Sequence, residues 1–139
     1  MPKRDSIHDI VRVALENDGW KITHDPFTIA TADSGEIHID LAAERILAAE
    51  KGDDKIAVEI KTLVGKSLIT EFYSALGKYQ LYEVAIEEAT INRVLYLAMP
   101  DLIYQKAWKH SLIRGSIIKY GIKVIVIDLD TEKITQWIK

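Results

Sequence analysis

Hydrophobic positions recur along this chain at two periods, and the period changes mark the elements. From Asp5 to Asn17, Ile7, Ile10, Val11, Ala14 and Leu15 fall at helical spacing. Asp5 or Ser6 can cap the start of this helix, and Asp18-Gly19 stops it. Trp20 to Thr23 reads as a strand broken by Asp25-Pro26, with Thr28 to Ala30 as an extension. Asp33 to Gly35 is a turn before a strand from Glu36 to Leu41. Ala42 to Lys51 carries helix-favouring alanines and glutamates, yet Gly52-Asp53-Asp54 is a hairpin signal that wants a strand before it. A bend or short helical turn near Ala43 to Ile46, followed by a short strand, satisfies both. Lys55 to Leu63 is the next strand.

Ser67 to Glu88 is a long helix with Ser67 as cap and Leu68, Phe72, Leu76, Tyr79, Val84 and Ile86 on its apolar face. Gly77 inside it predicts a close packing contact. Arg93 to Met99 is a buried strand ended by Pro100. Leu102 to Tyr120 is mainly helical, with Gly115 its weak point and Gly121 its stop. Lys123 to Leu129 and Lys133 to Ile138 are two final strands. Interleaved helices and strands predict an α/β fold, with an α+β mixed sheet flanked by helices. The 139 residues fit a single domain spanning 1–139.

Strand alternation gives the central runs their chemistry. Ile56, Val58 and Ile60 share one face of the strand, and Glu59 and Lys61 share the other. In Glu36 to Asp40, Ile37 and Ile39 point one way while Glu36, His38 and Asp40 point the other. A Glu-x-Lys pair on a strand is common. Here Ala57 on the same face and a preceding strand ending in Asp40 set it apart. Magnesium takes oxygen ligands and keeps several waters, so carboxylates of Asp40 and Glu59, with the carbonyl of Ile60, form a candidate site for Mg2+ or Mn2+. Lys61 faces the same site, placed to orient a water or to steady charge on a phosphate. The first helix brings His8 as a further candidate, with Glu16 beyond it, and Glu44 is a possible extra acid. This chemistry suits phosphodiester cleavage.

Composition excludes other classes. The chain has no cysteine, which rules out disulfides, thiolate metal sites and cysteine nucleophiles and is compatible with a cytoplasmic location. No segment has the length of a membrane span. The net charge of −3 does not advertise a nucleic-acid binder, but it is unevenly spread. Lys106, Lys109, Arg114, Lys119 and Lys123 lie between Leu102 and Ile127 with no acid among them. This stretch is a candidate phosphate-binding surface, with Lys78 and Gln80 of the long helix as further candidate DNA contacts.

Ile39-Asp40 followed by Val58 to Lys61, in this order of elements, resembles the PD-(D/E)xK restriction-endonuclease-like superfamily. Asp5 to His8, Ala14 to Thr23, Ile39 to Glu44, Ala48 to Lys51, Ile56 to Lys61, Ala75 to Tyr79 and Arg93 to Leu97 more closely resemble the XisH family of fdxN element excision controlling factors. The resemblance implies an endonuclease-like fold and a part in excising a DNA element during heterocyst differentiation. It also implies a separate recombinase and an XisI-type companion. By position it makes Asp40, Glu59 and Lys61 the two acids and the lysine of the superfamily site. The helix-1 glutamate found in many relatives is replaced here, with His8 nearest. A domain this small spans both strands of a duplex most simply as a homodimer.

Overall fold

The structure, a computed structural model, describes residues 4–29, 46–62 and 67–139. The described elements run α1 (Arg4–Asn17), β1 (Lys21–His24), β2 (Ile46–Lys51), β3 (Asp54–Ile60), α2 (Leu68–Glu88), β4 (Val94–Pro100), α3 (Asp101–Lys109), α4 (Ser111–Tyr120), β5 (Val124–Asp128) and β6 (Lys133–Ile138). The strands form one six-stranded sheet in the order β1-β2-β3-β4-β5-β6. β3, β4 and β5 run parallel, and the outer pairings are antiparallel. A sheet of this kind needs helical crossovers between its parallel strands, and α2 and the α3–α4 pair supply them. The mixed α/β expectation is therefore met. The strand expected at Glu36 to Leu41 lies outside the described residues.

Two apolar layers sandwich the sheet. One face carries Ile56, Val58, Tyr96, Ala98, Ile125 and Ile127 and is covered by α1 through Val11, Ala14 and Leu15. The other carries Ala57, Leu95, Leu97, Met99, Val124 and Val126 under α2, α3 and α4. Burying both faces explains why β4 and β5 are continuous apolar runs rather than alternating ones.

Local chemistry sets the element ends. The side chain of Ser67 accepts a hydrogen bond from the Thr70 amide and caps α2, as its sequence predicts. Gly52 turns the β2–β3 hairpin with φ of +61°, a conformation that disfavours side chains. The Leu102–Tyr120 region differs from expectation. It breaks at His110, which ends α3 and begins α4 with extended backbone, while Gly115 stays inside α4. On α2 the buried side is Phe72, Ala75, Tyr79, Tyr82, Ala85 and Ile86, and Val84 is exposed. Gly77 makes no close packing contact among the described residues: a Cβ there would meet nothing within 4 Å.

Tyr79 fastens α2 to the sheet. Its hydroxyl donates to the Leu95 carbonyl at 3.2 Å and accepts from the Lys123 amide at 3.3 Å. Burial, opposed in part by the hydrogen bond from the Lys123 amide and helped by the nearby charges of Glu83 and Glu59, pushes this phenol up to about 12. Arg93, just before β4, does similar work for β2 and β3. It donates to the carbonyls of Ala49 and Ile56, both at 3.2 Å, and pairs with Glu50 at 2.9 Å.

Candidate functional site

Glu59 is the penultimate residue of β3, and its side chain leaves the strand on the side of Ala57, toward α2. In register it pairs with Leu97 of β4. The side chain is fully buried. Lys61 follows on the same side as the strand ends. Its amide donates to the Ala98 carbonyl at 2.8 Å, which holds the backbone in line with β4. Its ammonium lies 3.4 Å from Oε2 of Glu59 with 13% of its side chain exposed. The acid and the lysine expected to share a face therefore form a buried ion pair. Ile60 points the other way, half-buried against the α1 layer.

Asp40, the expected second acid, lies outside the described residues, as does Glu44. Among the described residues no three acid or histidine side chains converge as a metal-binding group.

His8 is placed differently from Glu59. It sits on α1, the helix covering the opposite sheet face, and its Nε2 lies 2.7 Å from Oδ2 of Asp25. Arg12, one turn along α1, donates to the same oxygen at 2.7 Å. The structure thus groups His8 with Asp25 and Arg12, on the sheet face away from Glu59 and Lys61. Asp25 reads in sequence only as a strand breaker before Pro26. The available signal was the helical i, i+4 spacing of His8 and Arg12, two side chains able to hold one carboxylate. Glu16 is exposed on α1.

The cationic candidates separate into two kinds. Lys106 and Lys109 are exposed on α3, and Gln80 is exposed on α2. Lys78 is half-buried. Arg114 is partly committed within the fold, because its Nη1 donates to the Trp108 carbonyl at 2.9 Å and closes the corner between α3 and α4. No helix among the described residues is long and apolar enough to cross a membrane.

The fold and this site define a class: a mixed-sheet α/β protein with a buried Glu-x-Lys pair where its central strand ends. The family model described as XisH protein matches residues 1–135, and the chain belongs to that family. A crystal structure of an fdxN element excision controlling factor protein from Anabaena variabilis is 38% identical with a TM-score of 0.86, covering 98% of this chain and 100% of that one. A crystal structure of an XisH family protein from Nostoc punctiforme PCC 73102 is 36% identical with a TM-score of 0.85, covering 96% of this chain and 98% of that one. A search of curated proteins gave no match.

Proposed function

We propose that this protein is a controlling factor in excision of an fdxN-type DNA element. We further propose that it does so through a PD-(D/E)xK nuclease site built on Asp40, Glu59 and Lys61. The observation that carries the reading is the fully buried carboxylate of Glu59 with Lys61 at 3.4 Å. Burying an ion pair contributes little net stability, and apolar side chains of similar volume would serve the fold as well or better. A buried acid and base held together at a strand end therefore suggest chemistry rather than packing.

The donor chemistry suits Mg2+ or Mn2+. Glu59 offers a hard carboxylate oxygen, Asp40 offers a second by sequence, and the Ile60 carbonyl offers a third. Such an ion, when bound, supplies charge neutralisation at a phosphate and acidifies a water. Lys61, steadied by Glu59, orients the attacking water and offsets negative charge developing on the phosphate. His8, on the helix that covers the opposite sheet face and held there by Asp25, stands outside the metal site in this reading. Lys106 and Lys109 contact DNA phosphates, with Lys78, Gln80 and Arg114 as further contacts. The protein acts as a homodimer on a two-fold substrate, together with an XisI-type companion and a separate recombinase. Heterocyst differentiation is the setting and the cytoplasm the location. The test is cleavage of supercoiled and branched DNA with Mg2+ or Mn2+, comparing wild type with Asp40→Ala and Lys61→Ala. Equal rates in all three proteins would sink the nuclease assignment.

A second reading keeps the fold and drops the cleavage. The Anabaena variabilis relative is described as a controlling factor, which favours a non-catalytic protein that binds DNA or XisI and regulates the recombinase. Calorimetry that detects no Mg2+ or Mn2+ binding, with an XisI-type partner still recovered by pull-down, would select this reading.

A further inference from the structure

Two of the three tryptophans of the chain meet at the end of the sheet away from Glu59, where Asp54 opens β3. Trp20, just before β1, and Trp137 of β6 have ring centres 5.7 Å apart. Tyr96 of β4 meets the Trp137 ring edge-on at 5.1 Å. With Ile56 these rings line a cleft of about 840 Å³ between the β2–β3 hairpin and the end of β6. That size lies within the span of small-molecule sites, about 300–1,000 Å³. Trp20 and Tyr96 are buried, whereas Trp137 is partly exposed. Nζ of Lys139 lies 5.8 Å from the centre of the Trp137 ring, so an exposed lysine covers one ring face. A lysine stem has many rotamers, and this cover is readily exchanged for a flat ligand.

The lining carries three ammonium groups and three carboxylates. Lys51 and Asp18 are committed to each other and to the fold. The Lys51 ammonium donates to the Asp18 carbonyl at 2.6 Å, and the Asp18 carboxylate accepts from the Trp20 indole at 3.2 Å. Lys55, Lys139, Asp53 and Asp54 line the same cleft at exposed positions. Asp54 stands on the Tyr96 side: burial raises that phenol, and the charge of Asp54 raises it further. A purely cationic ligand would suit the rings and the acids but be repelled by the lysines. A purely anionic one would meet the reverse. A nucleotide matches all three kinds of group. Its base stacks on an aromatic ring, an exocyclic amino group donates to a carboxylate, and its phosphate pairs with lysine.

We propose that this cleft binds an unpaired nucleotide with an amino-bearing base. The base lies on Trp137 in place of the Lys139 ammonium, its amino group donates to Asp54, and its phosphate meets Lys55 and Lys139. The site is separate from Asp40, Glu59 and Lys61 and does not depend on cleavage. The same chemistry fits a free nucleotide and one within a single strand.

Calorimetry on the full chain in EDTA, where metal-dependent cleavage is suppressed, tests the site with dAMP, dTMP, deoxyadenosine, inorganic phosphate and a short single strand of deoxyadenylate. The adenine ligands should bind saturably, with dAMP tighter than dTMP, deoxyadenosine or phosphate. Trp137→Leu should weaken dAMP by about tenfold, the order expected for one stacked base. Lys55→Gln with Lys139→Gln should bring dAMP down to the affinity of deoxyadenosine, and Asp54→Asn should erase the preference over dTMP. These three positions are exposed, so they decide the matter even if circular dichroism shows Trp137→Leu unfolded. Asp40→Ala should bind dAMP as wild type does. A strand that binds more tightly than dAMP, with the same variants weakening it, places the nucleotide in a single strand, and equal or weaker binding makes it a free one. No saturable binding of either, binding that phosphate alone matches, or binding unchanged by the lysine pair and by folded Trp137→Leu would overturn the site.

Discussion

Nζ of Lys61 lies 3.4 Å from Oε2 of Glu59, and the acid is the more buried of the two. The asymmetry has an energetic consequence. Removing the lysine leaves a carboxylate in the core without this counter-ion, which costs about 3–5 kcal/mol for a buried pair. Lys61→Met should therefore lower stability by that order. Replacing both residues with apolar side chains of similar volume, as in Glu59→Leu with Lys61→Met, should be neutral or stabilising by about 1–4 kcal/mol. Chemical denaturation of the four proteins of this cycle checks it. A double variant less stable than Lys61→Met would mean that the pair is kept for the fold.

Tyr79 should give the protein a distinct alkaline limb. Burial raises its phenol from 10.0 to about 12, so the folded state holds the proton to higher pH than the unfolded chain does. The associated stability is fully present below about pH 10 and is lost as pH rises through about 12, with a total on the order of 3 kcal/mol. Tyr79→Phe should cost about 1–2 kcal/mol at neutral pH, since it removes both hydrogen bonds of the hydroxyl. It should also flatten this limb in urea titrations between pH 9 and 12. The phenols of Tyr96 and Tyr104, raised mainly by burial, leave a smaller residual slope.

The edge of the sheet should depend on Arg93. Its guanidinium bridges two strand carbonyls, pairs with Glu50 and lies 5.4 Å from the centre of the Phe27 ring. Lysine keeps the charge but lacks the planar fork. Arg93→Ala should destabilise by about 1–3 kcal/mol, chiefly because the Ala49 and Ile56 carbonyls lose a donor while the one-third-exposed Glu50 can rehydrate, and Arg93→Lys should recover less than half of that, measured by thermal unfolding. Full rescue by lysine would show that charge alone matters.

Much of this architecture was legible in the sequence. The 3.6-residue period and the Ser67 cap placed α2 to within a residue, and β6 matches its expected span, because local chemistry decides both. The break between α3 and α4 was not legible. His110 carries no breaker signal, and its extended backbone reflects the corner that Arg114 closes onto Trp108. At the site, alternation brought Glu59 and Lys61 to one face, since side-chain direction in a strand is a local property. The company of His8 was not foreseeable in the same way. Which acid a helix meets depends on the sheet face it covers, and α1 covers the side away from Glu59, where Asp25 takes its histidine.

If α3 faces DNA, its exposed lysines set part of the salt dependence. Lys106→Gln with Lys109→Gln should reduce the slope of log K against log salt by about 0.9 for each phosphate no longer neutralised. Fluorescence anisotropy with duplex DNA from about 50 to 300 mM salt measures it. Arg114 is best left intact here, because changing it would also open the α3–α4 corner. An unchanged slope returns both lysines to a solvated helix face.

Phosphodiester cleavage by Asp40, Glu59 and Lys61 can be read out as conversion of supercoiled plasmid to nicked or linear DNA with Mg2+ or Mn2+. The proteins to compare are purified wild type, Asp40→Ala, Glu59→Gln and Lys61→Ala, with folding verified by circular dichroism. Wild type should cleave only with metal, and each variant should be slower by at least a hundredfold. Cleavage that survives all three substitutions, or a wild type that binds DNA and metal yet leaves the plasmid and branched substrates intact, would overturn the nuclease assignment.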